Sequence, residues 1–549
     1  MTAEPMTSEP RSPGPGRCAW SWAPLLVVLA AILVHSHAVR DGLYEPDEWT
    51  VLNLGRTFAH APVDAADGIE APDALRFTYR RVLELPLFTA LYHLFGYEAR
   101  AFRALNLLLH AAAAVLVLLL ARRKLGREDL AIFAALLFAV HPKSWELAAV
   151  ASATPWALAT VLLLGSLLLF AIHRESCWPR LALAASVLLL LPALFLRGGF
   201  AILLPAMLAL ELGSRIGFRF WRQRAEYSRL LPHLVMAGAA AVVFFQNELH
   251  KMATGMPPAD LEVLSQPGQI LWALVLALPS SLLSLVDPTR LSGWALIGLV
   301  WIVLAVLVLL AAVVTRRLLR RAGGFGLGFL VLAMLPMLLA AEALGQGQAR
   351  YYHLASAGLC LVLASALPVL DRRRRAQRLV AAVLLLVPAL ATVISQREHF
   401  TRQAPARALA ESVAALARDL PRGSRLLILE GGPVDRDALD SAVLAAWLAR
   451  PAGGLELAVV EQPRICPTRR AAQPAPDMAA TTAVLWWGGR YASTDLATAV
   501  HLLRGLGCAP LPDLPTDSVV ADLTVAAGRL FLVGRLVRYE SFYQYVLTD

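Results

Sequence analysis

The run Phe102 to Leu120, FRALNLLLHAAAAVLVLLL, with Arg122, Arg123 and Lys124 directly behind it, decides what kind of chain this is. An apolar stretch of about 20 residues crosses the hydrocarbon of a bilayer as one helix, because a helix closes its backbone hydrogen bonds within itself. A basic cluster at one end marks the cytosolic side. Asn106 and His110 are the polar exceptions within the run, one helical turn apart and therefore on one face. That spacing lets both hydrogen-bond a common neighbour, and it suits a structural role.

The rest of the 549 residues has the same character: 58% are hydrophobic, 16% are charged and the formal net charge is +10. Such a composition excludes an ordinary soluble enzyme. The arginines sit in short clusters beside apolar runs, so the positive charge reads as membrane topology and not as a nucleic-acid footprint.

Outward from the quoted run, residues 1–20 read as a disordered cytosolic N-terminus, and Trp22 to Val39 as an uncleaved first span. A first outer loop covers residues 40–99, with a surface helix over Leu85 to Phe95. Further spans are predicted at Leu130 to Val150, with His141-Pro142 and Glu146 at its outer end, and at Pro155 to Ile172. Two more are split by Arg197-Gly198-Gly199, and another covers Leu231 to Phe245. A full crossing at Leu271 to Val286 would put the clusters Arg316 to Arg321 and Arg372 to Arg378 outside, so that segment reads as re-entrant. Spans at 292–314, 325–344, 351–370 and 379–395 follow. The fold class is an all-α polytopic membrane bundle of about eleven helices over residues 21–396.

Residues 397–549 read as a small extracytoplasmic α/β domain. It opens with an amphipathic helix over Ala404 to Ala417, and a further helix covers Asp437 to Arg450. Strands are expected at Arg425 to Leu429, Leu455 to Val460, Ala483 to Trp487 and Gly528 to Val537, and a last helix near Ser493 to Leu506. Cys466 and Cys508 fall here, where an oxidising compartment would let them pair.

The first outer loop opens on Leu43-Tyr44-Glu45-Pro46-Asp47-Glu48-Trp49. Three carboxylates at a bilayer surface can stay ionised while facing a cavity between helices, which suits acid/base chemistry on a membrane-borne substrate. A solvated loop start has the same composition.

Four further segments, in order, give the chain a likeness to a known family. They are Phe77-Thr78-Tyr79-Arg80; Phe95-Gly96 with Asn106 and His110; Phe138-Ala139-Val140-His141-Pro142 with Glu146; and Ala349-Arg350-Tyr351-Tyr352-His353-Leu354-Ala355-Ser356-Ala357-Gly358. Together they resemble the polytopic GT-C glycosyltransferases, above all protein O-mannosyltransferase-like and bacterial polyprenyl-phosphate-sugar-dependent enzymes. The likeness covers residues 40–400 or so. The chain departs from the pattern at Ala153-Thr154-Pro155-Trp156 and at Arg197-Gly198-Gly199.

The resemblance implies an inverting transferase that moves a sugar from a polyprenyl phosphate to a protein or glycolipid acceptor at the outer face of a bacterial cytoplasmic membrane. On that pattern Asp47 is the catalytic base, with Glu48 beside it. Arg80 and Arg350, with Arg81 and Arg103 as alternatives, are candidates for the donor phosphate, since a guanidinium binds phosphate oxygens in a two-pronged way. Each arginine also fits a snorkelling role at the lipid headgroups. Asn106, His110, His141, Glu146 and Tyr351 are supporting residues. Asp, Glu and His together suit a divalent ion, but no spacing demands one, and no cofactor is assigned. The rival readings are a non-catalytic scaffold built on the same bundle and a lipid or sugar transporter. The transporter reading calls for mid-span ionisable groups and an internal repeat.

Overall fold

The break in what looks like a single apolar run, Leu130 to Val150, organises the bundle. Helix α4, Glu128–Ala139, stops there, and a turn at Val140 to Lys143 precedes a short helix, α5, Ser144–Ala149. Proline has no N–H to continue the helix, and it drives the residue before it, His141, out of the α region. The expected span over 130–150 is therefore two helices with a kink between them.

The computed structural model describes residues 22–40, 83–96, 98–173, 175–201, 204–216, 224–253, 295–314, 321–339 and 352–419, together with strands at 425–430, 456–460, 481–487, 490–495 and 536–538. Numbered among these, the helices before the break are α1 (Ala23–Arg40), α2 (Glu84–Phe95) and α3 (Ala99–Leu125). Those after it are α6 (Thr154–Ile172), α7 (Pro179–Ala201), α8 (Leu204–Ile216) and α9 (Arg224–Ala253). The last four are α10 (Ala295–Val314), α11 (Arg321–Leu339), α12 (Tyr352–Ala366) and α13 (Arg374–Asp419). Five helices among the described residues are long and apolar enough to cross a membrane, and three shorter apolar helices accompany them.

Two further expectations change. Helix α7 runs through Arg197-Gly198-Gly199 without a break. Helix α13 joins the last expected span and the amphipathic helix of residues 404–417 into one element. The re-entrant segment of residues 271–286 and the helix expected over 437–450 lie outside the described residues.

Helix α3 packs against α1, α4 and α6, and α12 packs against α11 and α4. Buried Phe133, Phe138, Phe325 and Phe329 fill the space between them. Leu25, Leu29 and Leu33 on α1, Leu307 and Leu310 on α10, and Leu379, Leu386 and Leu390 on α13 point away from the core. Outward-facing leucines at helical spacing suit a hydrocarbon surround.

Inside a bilayer the hydrophobic effect gives no attraction between helices, so close packing and hydrogen bonds must hold the bundle. The α11–α12 contact is made by glycines. A Cβ added at Gly358 would lie 2.6 Å from the Leu330 backbone nitrogen and 2.9 Å from the Gly326 carbonyl oxygen. Gly358→Ala is expected to destabilise by about 1–3 kcal/mol through forced separation of the two backbones. The check is the melting temperature of the purified protein in detergent, and an unchanged value would rule out this contact.

Between α6, α7 and α9 the hold is polar. The hydroxyls of Ser166 and Ser186 each donate to the other's carbonyl at 2.8 Å. The Ser186 oxygen then accepts from the Nε2–H of His233 at 2.9 Å. At the basic end of α3, Lys124 pairs with Glu211 of α8, donates to Ser214 Oγ at 2.7 Å and stands 4.3 Å over the Phe325 ring. Nearby, Arg122 pairs with Glu128 and Arg123 donates to Glu175 at 2.6 Å. A hydrogen bond from Arg127, with its charge, holds the Asp129 carboxyl below the ordinary carboxylate range. Gly126, with φ +63°, ends α3 in the left-handed conformation that glycine adopts freely.

The C-terminal strands form one sheet in the order β4-β3-β1-β2-β5. Strand β1 (Arg425–Glu430) is parallel to β2 (Glu456–Val460) and β3 (Thr481–Trp487). The edges, β4 (Arg490–Asp495) and β5 (Leu536–Arg538), are antiparallel. Residues 493–495, expected to begin a helix, instead pair with β3, Ser493 opposite Val484.

Candidate functional site

Ending α4 early leaves its last carbonyls without helical partners, and in the apolar interior of a membrane bundle such groups must find partners. Side chains from three other helices answer. The Ala139 oxygen accepts from the Nε2–H of His35 on α1 at 3.1 Å and of His110 on α3 at 3.0 Å. The Val140 oxygen accepts from the Thr392 hydroxyl of α13 at 2.8 Å. Beyond α5, the Val150 oxygen accepts from Asn106 Nδ2 at 2.8 Å.

A second layer of groups backs these. His110 Nδ1 is hydrogen-bonded to His353 Nε2 of α12 at 2.9 Å, and the Thr160 hydroxyl of α6 lies 3.3 Å from His353 Nδ1. On the other side the Gln396 amide lies 2.6 Å from His35 Nδ1. His35 meets His110 edge-on at 5.0 Å between ring centroids, and the Phe138 ring packs against both His110 and His353. All of these polar residues are buried.

Two stripes build the site. Arg103, Asn106 and His110 share one face of α3, and Thr392, Gln396 and Phe400 recur every four residues on α13. The stripes meet where Arg103, only 2% exposed, stands over the Phe400 ring with Cζ 5.5 Å from its centroid. His141 lies in the kink, fully buried, and its Nδ1 accepts the Lys143 N–H at 3.2 Å. Glu146 is half-buried on α5.

Of the residues singled out in the sequence, Asn106, His110 and His141 thus come together around the kink, and Glu146 lies on the short helix beside them. Asp47, Glu48, Arg80, Arg81, Arg350 and Tyr351 lie outside the described residues, as do Cys466 and Cys508. The sequence reading quoted His353 within the fourth segment without giving it a role, and it missed His35, Thr160, Thr392 and Gln396. The usable signal was polarity inside membrane-length apolar runs, where such groups need a partner. Among the described residues no group of three or more His, Cys, Asp or Glu side chains is placed to hold a metal ion.

No protein-family model matches the chain, and no curated protein matches it in sequence. Among solved structures it is similar to the archaeal oligosaccharyltransferase AglB from Archaeoglobus fulgidus, determined with an inhibitory peptide and a dolichol phosphate. There the identity is 13% and the TM-score 0.44, over 78% of this chain and 64% of that one. It is also similar to ArnT from Cupriavidus metallidurans bound to undecaprenyl phosphate, at 15% identity and a TM-score of 0.45, over 79% of this chain and 85% of that one. The chain thus spans less than two thirds of the length of the archaeal protein.

Proposed function

We propose that this protein is an integral membrane glycosyltransferase of GT-C type, moving a sugar from a polyprenyl-phosphate donor to a protein or glycolipid acceptor. In this reading it lies in a bacterial cytoplasmic membrane with its N-terminus in the cytosol, and it acts at the outer face. Asp47 is the general base for the acceptor hydroxyl and Glu48 supports it. Arg80 and Arg350, with Arg81 beside them, meet the charge that develops on the leaving phosphate. Residues 397–549 form an extracytoplasmic α/β domain that holds the acceptor or a partner.

One observation carries the reading. Three of the four segments that give the chain its family likeness supply residues to a single buried cluster: Asn106 and His110 from one, His141 from another and His353 from the last. His110 and His353 are 243 positions apart in the chain, and their hydrogen bond brings two of the quoted segments to one place. In the chain, Asp47 follows Arg40, the end of α1, by seven positions.

The scaffold reading also has an observation in its favour, since both ring nitrogens of His110 are engaged in internal hydrogen bonds. Transfer itself separates the two. Purified full-length protein in lipid nanodiscs is given a polyprenyl phosphate carrying a radiolabelled sugar, with solubilised membrane extract as the acceptor source. The label is expected to leave the donor-lipid fraction and appear in protein or glycolipid, with Arg350→Ala slowing the transfer. A label that stays on the donor lipid under every condition would leave the scaffold reading standing.

A further inference from the structure

Carbonyl oxygens only accept, and this fixes the direction of the whole buried chain of hydrogen bonds. The Ala139 oxygen takes an N–H from Nε2 of His35 and from Nε2 of His110. Both rings are fully buried, and no carboxylate is a hydrogen-bond partner of either among the described residues. A second ring proton would make an unpaired buried charge, so each ring carries one. His110 Nδ1 is then an acceptor and takes the Nε2–H of His353. The Thr160 oxygen lies 3.3 Å from His353 Nδ1, but its proton goes to the Trp156 carbonyl at 2.9 Å, so this arm begins at His353; His35 Nδ1 accepts from the Gln396 amide.

Two arms therefore end on one oxygen and use both of its lone pairs. One runs from His353 through His110, the other from Gln396 through His35. Thr392 holds the next carbonyl, that of Val140. Four helices thereby fix the backbone at the point where His141 begins. The same reasoning sets the His141 tautomer. Its Nδ1 accepts the Lys143 N–H, so its one proton lies on Nε2. That nitrogen is buried and has no hydrogen-bond partner among the described residues.

We propose that the His141 Nε2–H is a ligand-binding donor, presented by these two arms, and that it takes an oxygen of the donor-lipid phosphate. The ligand assignment rests on the glycosyltransferase reading; the positioning by the arms does not. His353, His110, His35 and Gln396 are positioning residues that act through the Ala139 carbonyl.

The test uses full-length protein with nitrogen-15-labelled histidine in lipid nanodiscs and undecaprenyl phosphate as the probe. The wild-type His141 resonances are expected to report the Nε2–H tautomer and to shift when the probe is added. His141→Phe is expected to weaken probe binding about tenfold or more, the loss of one hydrogen bond to a charged group. His141→Gln, whose amide sets an N–H near the same point, retains most of the affinity. His353→Phe removes the N–H that His110 Nδ1 accepts, mixes the His110 tautomers and weakens binding by a smaller factor, and His353→Gln, whose amide donates in its place, restores both. Wild-type affinity in His141→Phe, or an Nδ1–H tautomer at His141, would overturn the donor role. Unmixed His110 tautomers in His353→Phe would overturn the positioning arms. If the wild-type protein itself ignores undecaprenyl phosphate, the polyprenyl-phosphate reading and the ligand assignment fall together, while the His110 tautomers in His353→Phe still decide the arms.

Discussion

Asp47→Asn is expected to lower sugar transfer by about 10²–10⁴-fold, the usual contribution of a positioned general base. The amide keeps the size and most of the hydrogen bonding of the carboxylate, so acceptor and donor still bind, but it cannot take the proton as the new bond forms. The loss should therefore fall on the turnover number, with little change in the concentration of donor lipid needed for half-maximal rate. Glu48 is the natural stand-in, so Asp47→Asn/Glu48→Gln should fall further than Asp47→Asn alone, and Glu48→Gln alone should fall least. Initial rates with a radiolabelled polyprenyl-phosphate sugar give all three values. Undiminished transfer in Asp47→Asn would remove Asp47 from the mechanism.

The second large effect is on stability and needs no substrate. Glu211→Ala should destabilise the bundle by about 3–5 kcal/mol, because it leaves the Lys124 ammonium buried without its counter-charge. Lys124 is only 9% exposed, and Ser214 and the Phe325 ring can solvate it but cannot neutralise it. Lys124→Met/Glu211→Leu removes both charges and is expected to recover most of the loss, since a buried ion pair exchanged for packed apolar groups is often neutral or better. Thermal unfolding in detergent reads both. A single variant as stable as wild type would mean that water reaches this pair.

What the sequence made legible follows from how each signal arises. Helices α3 and α6 were readable because a bilayer crossing writes a long uninterrupted apolar run, and α2 because a shorter run is bounded by Gly96. Hydropathy alone misread residues 130–150, where the apolar character continues on both sides of the kink and only Pro142 reports the break. The opposite error occurred at Arg197-Gly198-Gly199. Glycine pairs interrupt soluble helices, but helices packed in a membrane tolerate them, and α7 continues. Strands β1, β2 and β3 were legible from short apolar runs, whereas β4 (RYASTD) has an edge strand's polar composition and carried no such mark.

The candidate site was legible only by halves. Asn106 and His110 stand out because polar groups one turn apart in an apolar helix imply a shared neighbour. Nothing local to His35 names Gln396, 361 positions away, or tells that the two meet behind the Ala139 carbonyl. Pairings of that range exist only once the helices have packed.

Helix α13 has 46 residues, and at about 1.5 Å per residue it is roughly 69 Å long. A bilayer with its headgroups is about 40–45 Å thick. Even if the whole thickness were used, something like five turns must extend beyond the membrane, and β1 begins at Arg425, a few residues past their end. The same rod carries Thr392, Gln396 and Phe400 at the kink. Inserting one residue between Phe400 and Asp419 would re-aim the sheet by about 100° and raise it by about 1.5 Å, while leaving the stripe itself where it is.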